Sequence, residues 1–179
     1  EETYHTAKNY ALKAMALDET EIDCILALTH VCFVNEWNFA QSRQLIAKAM
    51  YLAPGNANVH GWASMMANVD GDLNTALIEA KLSASLDPLS PMTSYVLGVA
   101  YLVNEKYDLA IEEFDKTLAQ LPYYQQASIM KARCNLELDK FDEAIDLFNS
   151  IPIGPERANI HWGALAIAYA KKGELDKVR

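Results

Sequence analysis

The chain has 179 residues, 51% of them apolar, enough for a packed structure and too apolar for a disordered one. Fifteen basic against 24 acidic residues give a net charge of −9, which repels a phosphate backbone, so direct nucleic-acid binding is not expected. No apolar run reaches the length of a membrane span.

The opening "EETYHTAKNY" has neither a basic start nor an apolar stretch. No signal peptide is expected, and the expected location is cytoplasmic. Residues 1–21 read as the second helix of a truncated unit, through "AKNYALKAMALDE". The next unit, 22–56, is one residue longer than those that follow, with the extra residue near "NEWNF". After the insertion Phe39, Ser42, Ile46, Ala49 and Pro54 fall into register, while the helix before it is offset by one. Units 57–90 and 91–124 are the most regular. In the latter, "MTSYVLGVAYLVN" is nearly all apolar, as suits a helix packed between neighbours. "YDLAIEEFDKTLAQL" then turns Ala110, Phe114 and Leu118 inward and Glu112, Glu113, Asp115 and Lys116 outward. Unit 125–158 diverges, with Lys131 and Asn135 where Leu97 and Tyr101 stood; Pro152, Gly154 and Pro155 are expected to stop its second helix early. Residues 159–179 begin a further unit and stop inside its second helix. The chain therefore reads as an excerpt, with uncapped ends that invite self-association through Tyr4, Ala7, Tyr10 and Ala11, or Trp162, Ile167 and Tyr169.

The period is carried by independent columns. Pro54, Pro88 and Pro122 are evenly spaced, and so are Ala76, Ala110 and Ala144, at the same interval of about 34 residues. Leu73, Tyr107, Phe141 and Leu175 precede that alanine, or its equivalent Val178, by three. A small residue recurs at Ser64, Gly98, Ala132 and Ala166. Each unit reads as two helices. Proline stops the second one, Gly71 and Gly173 suit the tight turn between the pair, and Asp72, Asp108 and Asp142 lie where a helix dipole favours an acid. A helix pair cannot bury its apolar sides alone, so stacked neighbours must repeat the same large and small residues.

Trp162-x-x-Leu165-Ala166-x-x-Tyr169-x-x-x-Gly173 resembles the opening of a tetratricopeptide repeat. Leu97-Gly98-x-x-Tyr101, followed by Ala110, Phe114 and Pro122, is a second match, and the resemblance covers essentially the whole chain. It implies an all-α fold of about ten helices, a right-handed α-solenoid of antiparallel pairs whose first helices line a concave groove for peptides or domains. "WNFAQSRQLIAKAMYLAPGNANVHGW" with "LDPLSP" is similar to the repeat regions fused to bacterial signalling and transcription-regulating domains.

On that resemblance the groove positions are Leu26, His30, Gly61, Met65, Tyr95, Val99, Ile129 and Arg133. Repeats that clamp acidic chaperone tails place Lys and Asn there; here only Arg133 suits a carboxylate. The expected binding strip is Met65, Asn68, Tyr95, Val99, Leu102, Ile129 and Arg133, largely apolar with Asn68 and Arg133 as polar anchors. Contact between neighbouring units is the bland reading of the same residues.

The sequence holds no Gly-rich phosphate loop, no HExxH and no CxxC. Cys24, His30 and Cys32 share a helix but lack further ligands for a tetrahedral metal site, and the cysteines read as small apolar residues. His60 and His161, each just before a tryptophan, read as packing residues. Acid pairs such as Glu112–Glu113 lie on a solvated face without the opposed geometry of acid–base catalysis. No cofactor, no metal and no enzymatic activity are expected. The function read here is a protein-interaction scaffold, a regulatory or sensor module of a larger bacterial protein. The alternatives are a helical-repeat RNA reader, which would need a basic groove, and a self-association module.

Overall fold

The computed structural model describes residues 2–151, 158–174 and 176. The expected helix stop at Pro152, Gly154 and Pro155, the side chains of His161 and Trp162, and Leu175 and Val178 lie outside the described residues. Among the described residues there are ten α-helices and no strand: α1 (Glu2–Leu17), α2 (Ile22–His30), α3 (Phe39–Leu52), α4 (Ala57–Asp70), α5 (Leu73–Leu86), α6 (Pro91–Val103), α7 (Tyr107–Gln120), α8 (Gln125–Glu137), α9 (Phe141–Ser150) and α10 (Ala158–Lys172). The expected all-α class of consecutive helix pairs is observed. The chain divides into two compact units, Glu1–Pro88 and Leu89–Arg179. Among the described residues no helix is long and apolar enough to cross a membrane.

The turns between paired helices share one construction. Gly71, Glu105, Asp139 and Gly173 all adopt the left-handed conformation, at φ of 78°, 58°, 57° and 88°, and they recur at the repeat period. The next N–H in each turn reaches back to a carbonyl five residues earlier: Asp72 to Ala67 (3.0 Å), Lys106 to Tyr101, Lys140 to Asn135 and Glu174 to Tyr169 (2.9 Å each). This closing bond satisfies a carbonyl that the helix end leaves unpaired.

The first turn obeys the same rule with one residue more. Trp37 is left-handed at φ 54°, one repeat period before Gly71. The Asn38 N–H reaches back six residues rather than five, to Cys32 O at 2.8 Å. The extra residue is taken up as a π-turn over Val31–Asn35, with Glu36 N–H donating to Val31 O. The insertion expected near "NEWNF" is thus absorbed before the turn, which leaves α2 offset by one and α3 in register.

In the first unit the core of α1, α2, α3 and the start of α4 is built from Ala11, Ile25, Leu26, Leu28, Cys32, Leu45, Ala49 and Val59. Ala11 is therefore a core residue and not part of an open end; α1 turns it onto α2, while Ala7 and Tyr10 stay exposed. Leu26 likewise belongs to the core rather than to a groove lining. The α4–α5 pair closes on small residues, Ser64, Ala76, Ala80 and Ser83, all fully buried. Asp72 is the N-cap of α5, accepting from Thr75 N–H at 3.1 Å, and the Thr75 side chain, together with that N–H, lowers its pKa; Asp108 and Asp142 do lie in first turns.

In the second unit Ala110 and Ala144 are fully buried where α6 meets α7 and α8 meets α9. Phe114 and Phe148 fill the adjacent space. Lys131 and Asn135, the polar substitutions in α8, are accommodated differently: Lys131 pairs with Asp115 and Asn135 is buried, its carbonyl taking the closing bond of the turn. Ile167 is exposed, whereas Tyr169 is half-buried against the cluster around Phe148.

Candidate functional site

In the second unit α6 contributes Tyr95, Val99 and Leu102, one turn apart along one stripe. Tyr95 is half-buried. Its ring lies 6.1 Å from Phe114, tilted, and 5.1 Å from Tyr124 in an edge-to-face contact. Burial, with Tyr124 adding to it, pushes the Tyr95 phenol up, so it stays neutral. Val99 is half-buried beside it, while Leu102 is only 8% exposed and belongs to the core around Phe114. From α8, Ile129 packs against the separate cluster of Phe148 and Leu165. Arg133 is exposed, its Nη1 donating to Met130 Sδ at 3.8 Å. Tyr95 and Val99 are thus brought together on one core, with Ile129 on another and Arg133 in solvent; Leu102 supports the stripe from beneath.

In the first unit Met65 is half-buried on α4. Asn68, one turn further on, has both side-chain amide atoms inaccessible and without a hydrogen-bond partner. It occupies the position held by Leu102 and Leu136 in later units.

The first unit also carries an aromatic belt that the periodic reading did not assemble. Tyr4 lies 6.1 Å from His30, and His30 lies 5.8 Å from Trp62. Trp62 meets Phe33 edge-on at 5.5 Å, Phe33 meets Phe39 at 5.4 Å, and Phe39 meets Trp37 at 6.1 Å. None of these six rings is buried, and Trp37 is 72% exposed. Desolvation lowers the pKa of His30, favouring the neutral ring. The available signal was aromatic density in "VCFVNEWNF" and "HGW"; joining them required the π-turn, which fixes where Phe33 points.

His60 is buried and bridges three segments. Its Nδ1 lies 2.7 Å from Glu79 Oε2 on α5, and its Nε2 lies 2.8 Å from Pro54 O in the turn before α4. It packs, as the sequence implied. Cys32 and Cys134 are buried and Cys24 half-buried, all free; burial pushes the Cys134 thiol up to about 11, which makes it unreactive. Among the described residues no three His, Cys, Asp or Glu side chains group as metal ligands.

The family model that matches describes subunit 3 of the anaphase-promoting complex, or cyclosome, over residues 70–151. A search of the curated proteins finds no match to the chain. Among solved structures, the Cut9–Hcn1 hetero-tetramer of the same complex is 18% identical, covers 96% of this chain and has a TM-score of 0.82. This chain spans 34% of that one. PilW, a type IV pilus biogenesis factor, is 13% identical over 98% of this chain and 81% of its own, with a TM-score of 0.74. YrrB, a TPR protein with an unusual peptide-binding site, is 16% identical over 94% of this chain and 86% of its own, with a TM-score of 0.62.

The fold is that of the tetratricopeptide repeat. The left-handed turn within each helix pair and the small-residue crossings at Ala76, Ala110 and Ala144 are what this repeat looks like in atomic terms.

Proposed function

We propose that the chain is a non-enzymatic protein-interaction scaffold that holds a peptide or a domain on the first helices of its repeats. The observation that carries this is the placement of large apolar side chains short of full burial, Tyr95 and Val99 on α6 and Ile129 on α8, with the exposed Arg133 on α8. A monomer gains nothing from leaving such a surface wet, whereas a partner with a few apolar side chains would bury it, with Arg133 for orientation. YrrB, with its peptide-binding site, shares the fold. The residues 1–179 are read as one array, with full units at 22–56, 57–90, 91–124 and 125–158, serving a larger bacterial signalling or transcription-regulating protein.

Peptides selected from a displayed library against the whole chain test this. Their affinities are then measured against Tyr95→Ala and Arg133→Ala. Tyr95→Ala should weaken binding by about 2 kcal/mol, roughly thirtyfold, with helical content retained. Arg133→Ala, at an exposed site, provides an arm free of packing losses. Selected peptides that bind both variants as tightly as the parent would place the partner elsewhere.

A further inference from the structure

Five turns share one left-handed residue, and four of them are filled by residues whose presence is easily understood. Gly71 and Gly173 have no Cβ to clash, and Glu105 and Asp139 are unbranched and polar at a solvated turn. Trp37 is the exception. A bulky ring at φ 54° is strained, and the strain is not offset by burial, because the side chain is 72% exposed and touches Phe39 only edge-on. A fold selected for stability alone has no use for tryptophan there. The ring stands against Phe39, which in turn meets Phe33, and follows the π-turn that only this unit possesses among the described residues.

The surroundings say what the ring faces. Residues 1–88 hold eleven acidic against five basic side chains. Lys8, which reaches this turn, is paired with Glu36, the residue just before Trp37. Arg43, on the helix that follows, is paired with Asp70 and so is not available to cover the indole. Trp37 also stands at the C-terminal end of α2 and its π-turn, the negative end of the helix dipole. An exposed indole at the negative end of a helix is a surface that a cation can cover. Guanidinium suits it better than ammonium, being planar and weakly hydrated.

We propose that Trp37, at the end of the aromatic belt, is a docking site for a partner segment that presents a basic side chain, arginine foremost, to the indole, with an apolar neighbour lying on Phe39. This rests on the scaffold reading and names the partner's chemistry at a second surface, in a different compact unit from Tyr95 and Arg133. A failed experiment at one surface therefore leaves the other standing.

The test uses the whole chain and blocked Ala-Leu-Xaa-Leu-Ala peptides in which Xaa is arginine, lysine, norleucine or glutamate. Binding is followed by NMR at the tryptophan indole N–H resonances, with that of Trp37 assigned by its loss in Trp37→Gly. The arginine peptide should shift the Trp37 signal and bind about two- to fivefold tighter than the norleucine peptide. Glutamate should bind weakest, and the arginine advantage should narrow at high salt. Trp37→Gly should abolish the discrimination while its melting midpoint stays level or rises, because the strain is relieved. The proposal is overturned if norleucine and glutamate peptides shift Trp37 as strongly as arginine, or if no peptide shifts it. It is equally overturned if Trp37→Gly lowers the melting midpoint, which would make the ring a packing residue.

Discussion

Gly98 is where α6 closes directly on the Phe114 ring of α7. A Cβ built there would lie 2.6 Å from Cε1, 2.9 Å from Cδ1 and 3.1 Å from Cζ of Phe114. Ordinary contact begins near 3.4 Å, so the ring must retreat by close to an ångström. Phe114 is fully buried and has Tyr95 at 6.1 Å, so the retreat displaces a second ring. Overpacking of this kind costs about 1–3 kcal/mol, while alanine in place of glycine in a helix interior returns about 1 kcal/mol. Gly163, inside α10, is exposed and has nothing within 4 Å of its Cβ position, so it supplies the reference. Gly163→Ala should stabilise by about 0.5–1 kcal/mol. The propensity gain cancels between the two substitutions, and the difference in urea unfolding should be about 1–3 kcal/mol, with Gly98→Ala the less stable. One repeat along, Ala132 and Phe148 share a core at the same spacing, so alanine itself fits this crossing once the ring is placed for it. The cost therefore lies in moving Phe114, and a Phe114→Leu background should remove most of it. Equal shifts for Gly98→Ala and Gly163→Ala, or a cost unchanged by Phe114→Leu, would refute the reasoning.

Asn68→Leu should raise stability by about 1–3 kcal/mol in the same urea assay, since it replaces two inaccessible amide atoms without partners by the side chain that Leu102 and Leu136 supply at that register; a fall in stability would mean that the amide is satisfied in solution. His60→Ala should cost about 2–4 kcal/mol, because it strands the Pro54 carbonyl and the Glu79 carboxylate and leaves a cavity at a site only 4% exposed. A loss below roughly half a kcal/mol would show that the bridge contributes nothing net.

The periodic columns were legible because they are set by backbone geometry. Two helices crossing closely require a small residue at Ala76, Ala110 and Ala144, whatever surrounds them. The inserted residue was legible as a count, but its form was not: whether a helix absorbs an extra residue as a π-turn or as a longer loop depends on which carbonyls remain free for Glu36 and Asn38. Burial along a groove stripe was the least legible feature. Tyr95 and Leu102 share a stripe by spacing, yet the rise of the helix between them brings Leu102 under the core while Tyr95 stays at its rim. Ala11 misled for a similar reason: in α1 the apolar residues run round the helix, and only the position of α2 decides which of them is covered. The left-handed column was half visible, since glycine marks it at Gly71 and Gly173 but Trp37, Glu105 and Asp139 hide it.

The repeats share a backbone but only part of the chemistry that closes it. In the α4–α5 pair, where the crossing residues are small, hydroxyls span the gap: Ser64 Oγ donates to Ala76 O and Ser83 Oγ to Ala57 O, each at 2.8 Å. In the α6–α7 pair the space is filled by Phe114 against Gly98, and the Thr117 hydroxyl reaches across to Pro91 O at 3.1 Å. Ring packing tolerates sliding at little cost, whereas a buried hydroxyl that loses its carbonyl leaves two polar groups unsatisfied. Both pairs therefore keep one directional bond, from Ser83 or Thr117 at the same register, while the second in α4–α5, from Ser64, is replaced in α6–α7 by the packing of Phe114 on Gly98. A change of residue at one crossing cannot be transferred to another by register alone. Serine at position 98 would add a hydroxyl and a Cβ where the ring of Phe114 already stands, and glycine at position 64 would remove the donor that holds Ala76 O. The period therefore fixes where helices cross, and the local pair of residues fixes how each crossing is held.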